Sequence, residues 1–131
     1  MSAPNGKTIL VVDDDQDIRD TLTELLQEEG YSVLRASHGV EALSALRDQP
    51  SPSLILLDLM MPVMDGWQFR AEQRKDPALA KIPVVVISAT GKDEKVSALG
   101  AVQFLKKPIR LEQLLEAVAR HAVSLDGSAP A

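Results

Sequence analysis

Four places in the sequence gather residues capable of chemistry. Three consecutive acids, Asp13, Asp14 and Asp15, follow the apolar run TILVV. A single acid, Asp58, follows SLILL, after which the chain turns through Met60, Met61 and Pro62 to Asp65-Gly66. Ser88, Ala89 and Thr90 stand at the end of PVVVIS, and Lys106, Lys107 and Pro108 come after VQFL. Carboxylates at short range repel one another and are desolvated by apolar neighbours, so such a cluster either holds a proton or binds a cation. Oxygen donors without a His or Cys partner favour a hard ion such as Mg²⁺ over zinc. A cation, an ammonium and a hydroxyl together suit a phosphoryl group, whose equatorial oxygens they stabilise. A carboxylate can also be the nucleophile that takes that group.

Bringing these residues together requires a particular scaffold. Five short apolar runs, TILVV (8–12), YSVLRA (31–36), SLILL (53–57), PVVVIS (83–88) and VQFL (102–105), have the Val, Ile and Leu content of buried strands. Helical spacing separates them. Ile18, Leu22, Leu25 and Leu26 form one stripe, closed by Gly30; Val40, Leu43 and Leu46 form a second; Leu111, Leu114, Leu115 and Val118 form the last. After Gly66 the stretch carries Trp67 and Phe69 but is otherwise mostly polar, and Pro77 ends it. Alternating strands and helices predict a parallel sheet with helices on both faces and right-handed crossovers. Ligands of such sheets bind beyond the carboxyl ends of the strands, where all four groups fall if strands 1, 3, 4 and 5 are neighbours.

Composition narrows the function classes. The chain has 131 residues, enough for one domain with a core, and its 3% aromatic content makes that core aliphatic. A net charge of −5 with no basic run disfavours direct nucleic-acid binding. The absence of Cys excludes disulfides and thiolate metal sites. MSAPNGK does not read as a secretory signal and no stretch reads as a membrane span, so a soluble cytoplasmic protein is expected.

The motifs ILVVDDDQDIR, LILLDLMMPVMDG, PVVVISA and FLKKPI, in this order, resemble the receiver domain of two-component response regulators over residues 7–122. The resemblance implies a flavodoxin-like, doubly wound five-stranded parallel sheet in the order 2-1-3-4-5 with five helices, flanked by tails at 1–6 and 123–131. It makes Asp58 the phosphoacceptor. Asp13, Asp14, Asp58 and the Met60 backbone carbonyl become ligands of Mg²⁺. Ser88, the Ala89 backbone N–H and Lys107 would hold the phosphoryl group. Ser88 and Phe104 would be the switch pair, and Pro108 the residue after a cis peptide bond. The donor implied is a phosphohistidine on a sensor histidine kinase or a histidine phosphotransfer protein. The domain would act as a signalling switch, not an enzyme, catalysing only its own phosphotransfer and slow autodephosphorylation. A stand-alone receiver is the expected form; a receiver belonging to a larger regulator or hybrid kinase is the alternative.

Other residues have plainer readings. Asp15 and Asp17 read as helix caps, Asp65 as a turn and helix-start residue, Lys106 as a solvated neighbour of Lys107, and Thr90 as a cap of the next helix rather than a residue facing the pocket. His38 and His121, at helix ends, do not read as phosphodonors. Ser88 and Lys107 are 19 residues apart, short by about one helical turn (~3–4 residues), so the fourth helix, in TGKDEKVSALGA, is expected to be short and anchored only by Val96 and Leu99. Two rivals remain. A haloacid-dehalogenase-type phosphatase would use the D-x-D pair Asp13 and Asp15. A phosphorylation-independent docking module would have no need of the clustered charge.

Overall fold

The computed structural model describes residues 6–48, 51–89 and 98–122. In chain order the elements are β1 (Thr8–Val12), α1 (Gln16–Glu28), β2 (Ser32–Ala36), α2 (Gly39–Asp48), β3 (Leu54–Asp58), α3 (Gly66–Lys75), α4 (Pro77–Ala80), β4 (Val84–Ser88), β5 (Gln103–Lys106) and α5 (Leu111–His121). The five strands are parallel, in the order β2-β1-β3-β4-β5. This is the expected doubly wound, flavodoxin-like sheet.

The strand alternation divides the core in two. Ile9, Val11, Leu54, Leu56, Val85 and Ile87 face α1 and α5, packing with Leu22, Leu26, Leu114 and Val118. Leu10, Val12, Ile55, Leu57, Val84 and Val86 face the other way, onto Ala42, Leu43, Leu46 and Phe69 of α2 and α3. Every residue of β3 and β4 is buried, because the central strands are covered on both faces.

Helix boundaries follow local chemistry. The Asp15 side chain accepts from the backbone N–H groups of Asp17 and Ile18 and caps α1, while Gly30, at φ 92, lies just beyond its end. Asp65 caps α3 in a capping box with Gln68. Three differences from the sequence reading stand out. Val40 is 44% exposed, because it sits about 100° round α2 from the buried Gly39, and Ala42 takes its place in the buried stripe. Pro77 not only ends α3 but starts the four-residue α4, capped by Asp76. In α3, nominally polar, Arg70 and Gln73 are buried beside Phe69. The expected fourth helix falls largely on residues 90–97, Val96 among them, which lie outside the described residues; Leu99 is described and buried.

Candidate functional site

The register brings the singled-out residues to one edge of the sheet. β1 and β3 pair directly, with Val12 opposite Leu57, so Asp13 and Asp58 leave adjacent strands at the same level. β4 lies on the other side of β3, and Ser88 pairs with Lys106 of β5, one residue before Lys107. The Lys107 backbone N–H donates to the Ser88 carbonyl at 2.9 Å and so continues the ladder past the strand end.

Asp13 and Asp58 are each 2% exposed, whereas Asp14 lies open to solvent. Each buried carboxylate divides its two oxygens in the same way. Asp13 Oδ1 accepts the Asp15 backbone N–H at 2.9 Å and Asp58 Oδ1 accepts that of Met60 at 3.3 Å. Their Oδ2 atoms meet Lys107 Nζ at 3.1 Å and 3.5 Å. One ammonium therefore serves two acids. Carboxylate oxygens of Asp13, Asp14 and Asp58 all lie within 4.8 Å of one another.

The charge balance is incomplete. Burial, and then the neighbouring Asp13 carboxylate, push the Asp58 pKa up to about 6; Lys107 and the Met60 N–H oppose the rise and Asp14 adds to it. Burial pulls the Lys107 ammonium down, but Asp13 and Asp58 outweigh it and hold its pKa above the usual lysine value. Three acids facing one lysine, with an open side at Asp14 and oxygen donors only, fit a hard divalent cation of the Mg²⁺ type that retains water.

Local backbone shapes this edge. Gly66 donates its N–H to the Leu59 carbonyl at 3.0 Å, and a Cβ there would lie 2.7 Å from the Asp58 carbonyl oxygen, so only glycine lets α3 start this close to the acid. Between them, Val63 at φ 67 forms a tight turn in which Met64 N–H bonds the Pro62 carbonyl at 2.7 Å. Arg19, a residue not singled out from the sequence, donates from Nη1 to the Asp13 carbonyl at 2.7 Å and fixes the loop after β1.

The sequence matches the Response regulator receiver domain family over residues 9–119. The chain belongs to that family. The receiver domain is 35% identical over 123 residues to Protein PilG of Pseudomonas aeruginosa, covering 92% of this chain and 90% of that protein. Protein PilH of the same organism is 34% identical, with 84% of this chain and 93% of PilH covered. Longer relatives also match: the chain covers 57% of the phosphate regulon transcriptional regulatory protein PhoB of that organism. Among solved structures, the Vibrio cholerae chemotaxis protein CheY4 superposes with a TM-score of 0.81 at 31% identity, covering 88% of this chain and 98% of that one. Receiver domains are signalling switches of two-component systems and take phosphoryl groups from histidine kinases.

Within this receiver domain, Asp13, Asp14, Asp58 and Lys107 come together as expected. Ser88 is fully buried at the end of β4, Ala89 beside it is exposed, and Met60 is 59% exposed. The Lys107–Pro108 peptide is cis. Phe104 is half-buried against the α2/α3 side of the sheet. Asp15 caps α1 whereas Asp17 lies in its first turn, where a carboxylate favours the helix N-terminus. Lys106 is exposed, and Thr90 lies outside the described residues. His38 Nδ1 accepts the Glu41 N–H at 3.4 Å at the start of α2, and His121 Nε2 meets Gln103 Oε1 at 2.9 Å. No helix among the described residues is long and apolar enough to cross a membrane.

Proposed function

We propose that Asp58 is the phosphoacceptor of this receiver domain, taking its phosphoryl group from a phosphohistidine of a sensor histidine kinase or a histidine phosphotransfer protein. The observation that carries the reading is the single Lys107 ammonium reaching both Asp13 Oδ2 and Asp58 Oδ2, with a third acid alongside. In the reaction an Asp58 carboxylate oxygen attacks phosphorus. A new P–O bond forms as the P–N bond breaks, and its electron pair leaves with the donor imidazole. Asp13, Asp14, Asp58 and the Met60 carbonyl would hold Mg²⁺, which when bound offsets the negative charge of the phosphoryl oxygens. Lys107 turns from Asp58 to a phosphoryl oxygen. The buried Ser88 hydroxyl and the backbone N–H of the small Ala89 supply two further donors.

The output is a change in protein–protein contacts. Ser88 drawn to the phosphoryl group moves the start of the following segment, and Phe104, on the neighbouring strand, turns into the space released. Water later attacks the acyl phosphate, releases inorganic phosphate and restores the carboxylate. The domain, spanning 7–122, carries out this cycle in the cytoplasm without direct contact to nucleic acid. A phosphatase of the D-x-D type is disfavoured, because the Asp15 side chain is engaged as the α1 cap and stands outside the acid cluster.

Phosphoramidate or acetyl phosphate with Mg²⁺, followed by intact-protein mass, tests the proposal. A labile gain of one phosphoryl group, lost without Mg²⁺ and in Asp58→Asn, is expected. A gain retained in Asp58→Asn refutes it, and steady turnover of small phosphate esters would favour the phosphatase.

A further inference from the structure

Helix α3 is fastened at two places. Its first residue, Gly66, is bonded to Leu59 and lies against the Asp58 backbone. One turn further on, Arg70 is only 7% exposed and spends its guanidinium on neutral groups: Nε to the Leu99 carbonyl at 2.8 Å, Nη2 to the Gly100 carbonyl at 3.3 Å and Nη1 to Gln73 Oε1 at 2.7 Å. Gln73, fully buried, donates in turn to the carbonyls of Leu79 and Ile82 at 2.8 Å and 3.2 Å. Arg74 adds a bond to the Ala98 carbonyl at 3.1 Å. The accepting carbonyls lie on the two segments that lead into β4 and β5. Gly100, at φ 68, makes the turn, and Val102 N–H then joins the Val84 carbonyl at 2.9 Å.

A planar guanidinium bonded to two successive carbonyls and an amide fixes direction as well as distance, which a lone ammonium does not. Its partners among the described residues are all backbone carbonyls or Gln73, a set suited to setting geometry. We propose that Arg70 and Gln73 are positioning residues that tie α3 to the starts of β4 and β5, making α3 the mechanical link between the Asp58 loop and the strands ending in Ser88 and Lys106. Close-packed interiors transmit displacement in this way because they compress little. A shift of α3 at Gly66 is thereby delivered to the far ends of both strands, and so to Phe104, independently of the hydroxyl of Ser88. The inference rests on the phosphoacceptor reading of Asp58.

The test uses the full chain as wild type, Arg70→Lys and Arg74→Ala, each with and without phosphoramidate and Mg²⁺. Intact mass and peptide-resolved hydrogen exchange are read on the same samples. Arg70→Lys keeps the charge and loses the fork; exchange across 99–103 is expected to rise ~10-fold while 8–12 stays as in wild type. Phosphorylation is expected to change exchange across 98–106 in wild type, and that response is expected to be more than halved in Arg70→Lys although the mass gain persists. The exposed Arg74→Ala gives a smaller loss of the same response and decides the matter if Arg70→Lys unfolds. A normal mass gain with an undiminished response in the variants overturns the coupling role alone. No mass gain in wild type overturns the phosphoacceptor reading and the coupling with it.

Discussion

Replacing Asp58 by Asn is expected to stabilise the metal-free protein at neutral pH, although it removes one partner of a buried ion pair. The folded protein raises the Asp58 pKa from 3.8 to about 6, so it binds this proton more tightly than the unfolded chain does. Between these two values the folded state holds more protons, and stability falls as pH rises through that window. Above it the penalty is complete and amounts to about 3 kcal/mol for a shift of roughly two pKa units. Asn keeps the shape, accepts the Met60 N–H and carries no charge, so it recovers much of that penalty. The expected gain is ~1–3 kcal/mol at pH 8, shrinking towards zero by pH ~4, where wild-type Asp58 is itself protonated. Urea denaturation in the presence of a chelator, followed by far-UV circular dichroism across pH 4–8, measures it. A variant no more stable than wild type at pH 8, or a difference independent of pH, would refute the electrostatic account of the site.

Three other expectations follow from the same geometry. Lys107→Met leaves Asp13 and Asp58 without their shared cation; stability at pH 8 should fall by ~1–3 kcal/mol, and by less at pH 5, where Asp58 takes up a proton, as pH-dependent denaturation would reveal. Gly66→Ala forces a methyl to within 2.7 Å of the Asp58 carbonyl oxygen and 2.8 Å of Leu59 Cα, so a loss of ~1–3 kcal/mol in urea denaturation is expected; an unchanged midpoint would show that α3 is not held so closely to the strand end. Mg²⁺ at ten times its dissociation constant should stabilise wild type by about 1.4 kcal/mol, an increment that chelation removes and that is much reduced in Asp58→Asn; thermal scans with Mg²⁺, with Ca²⁺ and with chelator measure it.

The parts legible in the sequence are those where one residue's chemistry or one local period decides the outcome. The strands ran close to their observed limits because β1, β3 and β4 are apolar almost throughout, and Asp58 stood out because an acid closing such a run has no packing role. Asp65 and Asp15 were readable as cap and turn residues because capping is local. Arg70 and Gln73 were not readable. Their burial depends on carbonyls 29 and 30 residues away for Arg70, and on α4 for Gln73, and no local period marks a polar side chain that satisfies distant backbone. Arg19 escaped for a different reason: its partner is a nearby backbone carbonyl, that of Asp13, and not a carboxylate whose charge would mark the pair in the sequence. In α2 hydrophobic type alone misplaces the buried stripe, because the small residues Gly39 and Ala42 face the core and the larger Val40 does not.

The central claim concerns which carboxylate carries the phosphoryl group, and three stand within reach of one another. Borohydride reduces an aspartyl phosphate to homoserine and leaves free carboxylates untouched, so it marks the acceptor covalently. After phosphorylation with Mg²⁺, reduction and peptide sequencing by tandem mass spectrometry, homoserine is expected at position 58 alone. Homoserine at position 13 or 14, or at none of the three in a sample whose intact mass had risen, would contradict the account.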